Sequence, residues 1–348
     1  MNSNSKGGYR PAPPRFDKRR PDNSRRIMFS AITVIGIAIL VFTFLIFAEL
    51  FGWLEKGKDP LGDPVSYKFN TTEITMTESD VHRGDLILIN ETYKYVFPDS
   101  AISPVSILDT TLRKKHSYTN AAGEVKDAFS YYSQSYNNCA KLELEALKAF
   151  IAWTDDFSIT NNNIDLFIFD EDGYRTYAEQ EALYAKKPTA YSTAGASEHH
   201  TGKVIDIYGQ VSSSDPIHKI DDTVYKSRYQ WLYDNAYKYG FVLRYPSAKA
   251  DVTGVGYESY HFRHVGYAHA YYMDRNDLCL EEYLELLKST YTALNPLEFT
   301  GDDGARYMVY YTAAASDGST TLVVPADYSY TVSGDNMGGF IVTATLDK

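Results

Sequence analysis

Two segments decide how this chain is read. Residues 197–206 run Ser197-Glu198-His199-His200-Thr201-Gly202-Lys203-Val204-Ile205-Asp206, and residues 258–266 run Glu258-Ser259-Tyr260-His261-Phe262-Arg263-His264-Val265-Gly266. Lys203–Tyr208 alternates as a strand, and Tyr260–Val265 reads as another. Asp206 stands among Val204, Ile205 and Ile207 on a strand expected to be buried. An ionised Asp there is costly unless it is paired or metal-bound. A zinc ion with three protein ligands and one water takes imidazole nitrogens and often a carboxylate, a set that His199, Asp206 and His261 can supply. Glu258 precedes His261 by three residues at the entry to its strand, where it can face a metal-bound water as general base. The spacing alone leaves two readings open, a zinc site or ordinary surface and satisfied core histidines. His200, His264 and His269 read as structural or solvent-facing; on a regular strand His264 points away from His261.

Working outward, helices and strands mix without a βαβ rhythm, which favours an α+β fold. Ala140–Trp153 reads as a helix with Leu144, Leu147 and Ile151 on one face. Ile164–Phe169 is a near-continuous apolar strand, and Asp85–Ile89 a short buried one. Tyr177–Lys187 is a helix stopped by Pro188, and Tyr225–Tyr239 one closed by Gly240. Phe241–Arg244 is a strand and Glu281–Lys288 a last helix. After residue 300, Arg306–Ala313, Thr320–Pro325, Tyr330–Gly334 and Gly339–Leu346 are β-prone runs between Gly, Asp and Ser turns. They predict a small all-β appendage over 300–348, too small to stand without packing on the main body.

The chain has 348 residues, a net charge of −11, two cysteines and 31 tyrosines. Two cysteines exclude a disulfide scaffold and a four-cysteine zinc site. Outside the cell Cys139 and Cys279 can bond or remain two buried thiols, and the sequence leaves both open. The acidity argues against nucleic acid as a partner. The charge is uneven: residues 1–26 hold eight Lys and Arg against Asp17 and Asp22, a net of +6, so the remainder carries −17. Behind this basic tail, Ile27–Ala48 is an uncharged run of 22 residues. As a helix it spans about 33 Å, enough to cross a hydrocarbon core of ~30 Å. The reading is a retained signal anchor over 27–48, with residues 1–26 cytoplasmic. A spacer over 49–80 and a globular region over 81–295 then lie outside the cell.

These segments resemble the VanY-type D-alanyl-D-alanine carboxypeptidases, zinc peptidases acting on peptidoglycan. The family pattern S-x-H-x-x-G-x-x-x-D is met by Ser197, His199, Gly202 and Asp206. E-x-W-H-x-R-x-V-G is met by Glu258, His261, Arg263, Val265 and Gly266. A third pattern matches Gly173-Tyr174-Arg175-Thr176 with Gln180, and a fourth Tyr239-Gly240-Phe241-Val242-Leu243-Arg244-Tyr245-Pro246. The resemblance spans roughly 140–288. It implies an α+β zinc peptidase domain with a central, mostly antiparallel sheet and flanking helices. It also implies zinc held by His199, Asp206 and His261, Glu258 as catalytic base, and Arg175 gripping the substrate's terminal carboxylate or the oxyanion, with Gln180 and Ser197. For Arg175 the plain alternative is a surface ion pair. Tyr260, Val204 and Asp172 depart from the family's usual Trp, Ala and Ser, which touches specificity more than metal chemistry. The implied activity is removal of the terminal D-alanine from peptidoglycan stem peptides, at the cell membrane of a Gram-positive bacterium. L,D-carboxypeptidase or endopeptidase action on the same peptides and a non-catalytic wall-binding protein are the alternatives. Glu258 speaks against the last, because a structural zinc needs no base.

Overall fold

The computed structural model describes residues 67–347 apart from 100–101, 109–110, 115–116, 121, 128–139 and 212–213. The expected anchor at 27–48, most of the spacer and Cys139 lie outside the described residues. Among the described residues no helix is long and apolar enough to cross a membrane.

The chain enters as strand β1 (Thr71–Thr77), which corrects the expected spacer over 49–80. Ile74 and Met76, at alternate positions, pack on the apolar cluster around Tyr310, Leu322 and Phe340. The run Asp85–Ile89 is buried as expected but joins no ladder. Instead Leu86 N–H donates to Ser333 Oγ and Leu88 N–H to Asp335 O. An apolar run signals burial; the backbone partner is a separate matter.

Helix α1 (Leu144–Asn161) begins where the Glu143 side chain caps the Glu145 and Ala146 N–H groups, and it ends at Asn162 in the left-handed region. It runs eight residues beyond the expected end. Its buried face carries Phe150, Trp153 and Phe157. Helix α2 (Tyr177–Lys186) opens with a Thr176–Glu179 capping box. Strand β2 (Val204–Asp206) follows a 3₁₀ turn at Glu198–Thr201. Helix α3 (Lys226–Asn235) continues as a 3₁₀ turn to Tyr239, and Gly240 ends it at φ 78°. At that glycine a Cβ would meet His264 Nε2 at 2.9 Å, so the tight approach to β4 needs the missing side chain.

Strands β3 (Phe241–Tyr245) and β4 (Glu258–His264) complete an antiparallel sheet in the order β3-β4-β2. Trp153 of α1 lies against it, stacked on Phe241 and edge-on to Phe262. This contact fixes the rear face of the sheet, so the opposite face is free to carry polar groups. Helices α4 (Tyr267–Arg275) and α5 (Leu280–Thr290) follow; the first was not expected from the sequence.

After α5 come strands β5 (Leu297–Thr300), β6 (Arg306–Ala313), β7 (Ser319–Pro325), β8 (Ser329–Gly334) and β9 (Gly339–Asp347). Four of them form a sheet in the order β5-β6-β9-β8, while β7 pairs with β1 across seven residues. This β-rich part shares one apolar cluster with the main body, where Leu297, Val309 and Ile341 meet Tyr237, Val265 and Leu284. Burial of that kind, at about 25 cal/mol per Å², supplies what so small a sheet lacks alone. Cys279 is a free, buried thiol.

Candidate active site and metal centre

The pairing of β2 with β4 sets Asp206 directly opposite His261, while their neighbours Ile205 and Phe262 turn to the core. His199 arrives from the 3₁₀ turn before β2. Gly202, at φ 69°, reverses the chain there with its Cβ position only 3.1 Å from Glu143 N. His199 Nδ1 lies 2.7 Å from the Gly173 carbonyl. A carbonyl only accepts, so Nδ1 carries the proton and the Nε2 lone pair faces the site.

The three side chains converge. Asp206 Oδ1 is 2.9 Å from His261 Nδ1, and Oδ2 is 3.5 Å from His199 Nε2. The two imidazoles stand nearly perpendicular, with centroids 5.1 Å apart. Each residue offers one ligand atom within 4.8 Å of the others. Asp206 Oδ1 is buried without a hydrogen-bond partner despite its closeness to His261. Three such side chains aimed at a common point fit a divalent metal.

Arg175 lies against the same donors. Its Nη2 donates to His199 Nε2 at 2.9 Å and lies 3.7 Å from Asp206 Oδ2. Its Nε donates to Glu171 O and its Nη1 to Gln180 Oε1. Gln180 is fully buried, and its amide nitrogen donates to Ser192 O. In this arrangement Gln180 holds Arg175. Arg175 is itself buried, so the surface ion-pair alternative does not hold. Ser197 lines the same pocket. Glu258 is more open, with a quarter of its side chain exposed and Oε2 3.5 Å from His261 Nδ1. The pocket over these groups measures about 360 Å³, and Tyr191, Tyr208 and Tyr260 form part of its wall.

Electrostatics follow from burial among opposed charges. Burial opposes ionisation of Asp206, but the two imidazoles hold its carboxyl well below the usual carboxylate range. Burial, and then the Arg175 guanidinium, lower His199 to about 4. Burial also pulls His261 down, yet Asp206 and Glu198 outweigh it and raise the imidazole to about 9. Glu258 is raised, chiefly by burial, with His261 partly offsetting the effect.

Sequence reasoning missed Glu198. Its carboxylate is buried between Arg244 Nε at 2.9 Å and Arg263 Nη1 at 3.2 Å, on the far side of His261. The available signal was two arginines inside apolar strands, each of which demands a buried anion. His200, His264 and His269 are all buried and lie outside the donor set. His200 bridges the Arg175 carbonyl and the Gly195 N–H. His264 packs edge-on against Phe241, away from His261.

Residues 140–267 match the model of the family described as VanY, D-alanyl-D-alanine carboxypeptidase. A D-alanyl-D-alanine carboxypeptidase of Enterococcus faecium is 32% identical over 275 residues, covering 79% of this chain and 79% of the relative. The bifunctional D-Ala-D-Ala dipeptidase and D-Ala-D-Ala carboxypeptidase VanXYC of Enterococcus gallinarum is 36% identical over 131 residues, covering 34% of this chain and 67% of the relative. Among solved structures, the vancomycin resistance D,D-dipeptidase VanXYg in complex with a D-Ala-D-Ala phosphinate analogue superposes with a TM-score of 0.62 at 23% identity. That match covers 80% of this chain and all of the other, and it bears on the fold.

Proposed function

Because this chain belongs to the VanY family of D-alanyl-D-alanine carboxypeptidases, we propose that it removes the terminal D-alanine from peptidoglycan stem peptides with the help of zinc. The observation that carries the reading is the convergence of His199, Asp206 and His261 on one point, beside Glu258 and Arg175 in one pocket.

When bound by these three residues, zinc supplies a water of lowered pKa and polarises the scissile carbonyl. Glu258 takes the proton of the attacking water and passes it to the leaving amine. Its partly exposed, burial-raised carboxyl suits both transfers. Arg175 meets the substrate's free carboxylate or the developing oxyanion with a planar pair of donors. Gln180 fixes the guanidinium, and Ser197 lines the approach. With a metal bound, the His199 lone pair that meets Arg175 Nη2 in this structure would go to the metal, and Glu171 O and Gln180 Oε1 would still hold the guanidinium.

The enzyme works outside the cell on a single-pass anchor formed by Ile27–Ala48, with a cytoplasmic N-terminus, in a Gram-positive membrane. The 22-residue apolar run behind eight basic residues supports this placement. Protease added to intact protoplasts should remove the catalytic region; a protected region overturns the orientation.

Digestion of purified muropeptides by the full-length protein in detergent tests the chemistry. Mass analysis should show pentapeptide stems losing one alanine, with a chelator stopping the loss and zinc restoring it. Loss of alanine from tetrapeptide stems alone would establish L,D specificity, and cleavage of cross-links alone an endopeptidase.

A further inference from the structure

Among the described residues Glu198 is one of the most deeply buried charges, and the proposed reaction gives it no part. Its side chain is 1% exposed, with Oε1 at the guanidiniums of Arg244 and Arg263. Arg244 is in turn held by a two-point pair with Glu281 of α5, at 2.8 and 2.6 Å. Two cations and two carboxylates thus form a closed, balanced cluster. Its members come from β3, β4, α5 and the turn that carries His199.

Charge balance does not account for where the carboxylate points. Glu198 Oε2 has no hydrogen-bond partner, and it lies 3.6 Å from His261 Nε2, which is also buried without one. A neutral imidazole has one lone pair and one N–H. A carboxylate facing Nε2 repels the lone pair and attracts the proton, so the lone pair is left on Nδ1, the nitrogen beside Asp206. A backbone carbonyl orients the other histidine, His199, from its opposite nitrogen. We infer that Glu198, braced by Arg244 and Arg263, is a positioning residue that fixes the His261 tautomer and presents Nδ1 to the metal. The inference rests on the zinc reading above. A charged partner also makes His261 the more basic donor of the two, as carboxylates behind metal-bound histidines do.

The test is the zinc dissociation constant, read by chelator competition on full-length wild type, Glu198→Gln and Glu281→Gln. Glu198→Gln keeps size and one acceptor but loses the charge, and it should weaken zinc about 10–100-fold. Glu281→Gln disturbs the same cluster without touching the carboxylate at His261, and it should stay within about threefold of wild type. Nitrogen-15 histidine spectra of the zinc-loaded wild type should show His261 metallated at Nδ1, with an exchange-protected, downfield Nε2–H. Wild-type zinc affinity in Glu198→Gln overturns the inference, and so does zinc on His261 Nε2. If Glu198→Gln fails to fold, the wild-type spectrum decides alone. A wild type that takes up no zinc overturns the zinc reading, and this inference with it. Normal zinc uptake by both variants overturns this inference only.

Discussion

Asp206 faces His261 across the β2–β4 ladder, with Oδ1 2.9 Å from Nδ1 and no hydrogen bond between them. The register that buries Ile205 and Phe262 behind them also sets this pair. Stability and site geometry therefore share one cause, because a one-residue slip would turn both functional side chains into the core.

The first consequence concerns metal retention. Asp206→Asn keeps the shape but removes the charge that raises His261 to about 9. Zinc measured after gel filtration should be lost from Asp206→Asn and from His261→Ala, and activity with it. Full zinc in either variant would remove that residue from the donor set.

Glu258 should behave differently. Glu258→Gln removes the proton acceptor and leaves the three donors in place. Zinc content should match wild type, while kcat falls about 10²–10⁴-fold, the usual worth of a positioned base. A zinc-free Glu258→Gln protein would make Glu258 a ligand.

Much of this site was legible in the sequence, for physical reasons. His199, Asp206 and His261 stand out because polar residues inside apolar strands must have partners. Glu198 was hidden because its partners, Arg244 and Arg263, lie 46 and 65 positions away. Strand β1 was hidden by its polar composition, although Ile74 and Met76 alternate correctly; its partner β7 lies about 250 positions on. The strands of 306–347 were legible because turn residues separate short β-branched runs. Helix α4 was not, since its buried face consists largely of Ala268, Ala270 and Met273 beneath tyrosines.

Buried histidines away from the donor set predict acid sensitivity. Burial lowers His264 and His269 to about 4. His269 sits between the Tyr283 hydroxyl and Thr343 Oγ1, tying α4 to α5 and β9. Unfolded histidines take up protons below about 6.5, and these two, when folded, only below about 4. Between those values the unfolded state binds more protons, so stability falls as pH drops. Each group should cost about 2–3 kcal/mol at pH 4.5 relative to pH 7. Denaturant melts at the two pH values should show the loss, and His269→Gln should show a smaller one. An equally steep loss in His269→Gln would rule out that histidine as a source.

Strand β1 predicts a boundary. A chain begun at Tyr67 keeps β1 on β7, and one begun at Glu78 loses it, with Ile74 and Met76. The second should melt on the order of 5–10 °C lower, from roughly 1–2 kcal/mol of burial at each side chain. Equal melting temperatures would show β1 to be dispensable.

The substrate's end gives the last prediction. Arg175 is buried, clamped by Glu171 and Gln180, and it lines the pocket that holds Glu258. A guanidinium so placed pairs with a free carboxylate and is left unpaired by a neutral amide, and an unpaired buried cation is costly. Peptides ending in free D-alanine should be cleaved on the order of a hundredfold faster, by kcat/KM, than the same peptides amidated there. Arg175→Ala should erase most of that preference and most of the rate. Gln180→Ala should weaken both by less, since Glu171 O still holds the Nε. The pocket also carries Glu171, Asp172, Asp206 and Glu258, so an anionic substrate meets general repulsion that Arg175 must overcome. Modest salt should therefore raise activity at low ionic strength. Equal cleavage of free and amidated peptides would remove the terminal carboxylate from recognition and favour the endopeptidase alternative.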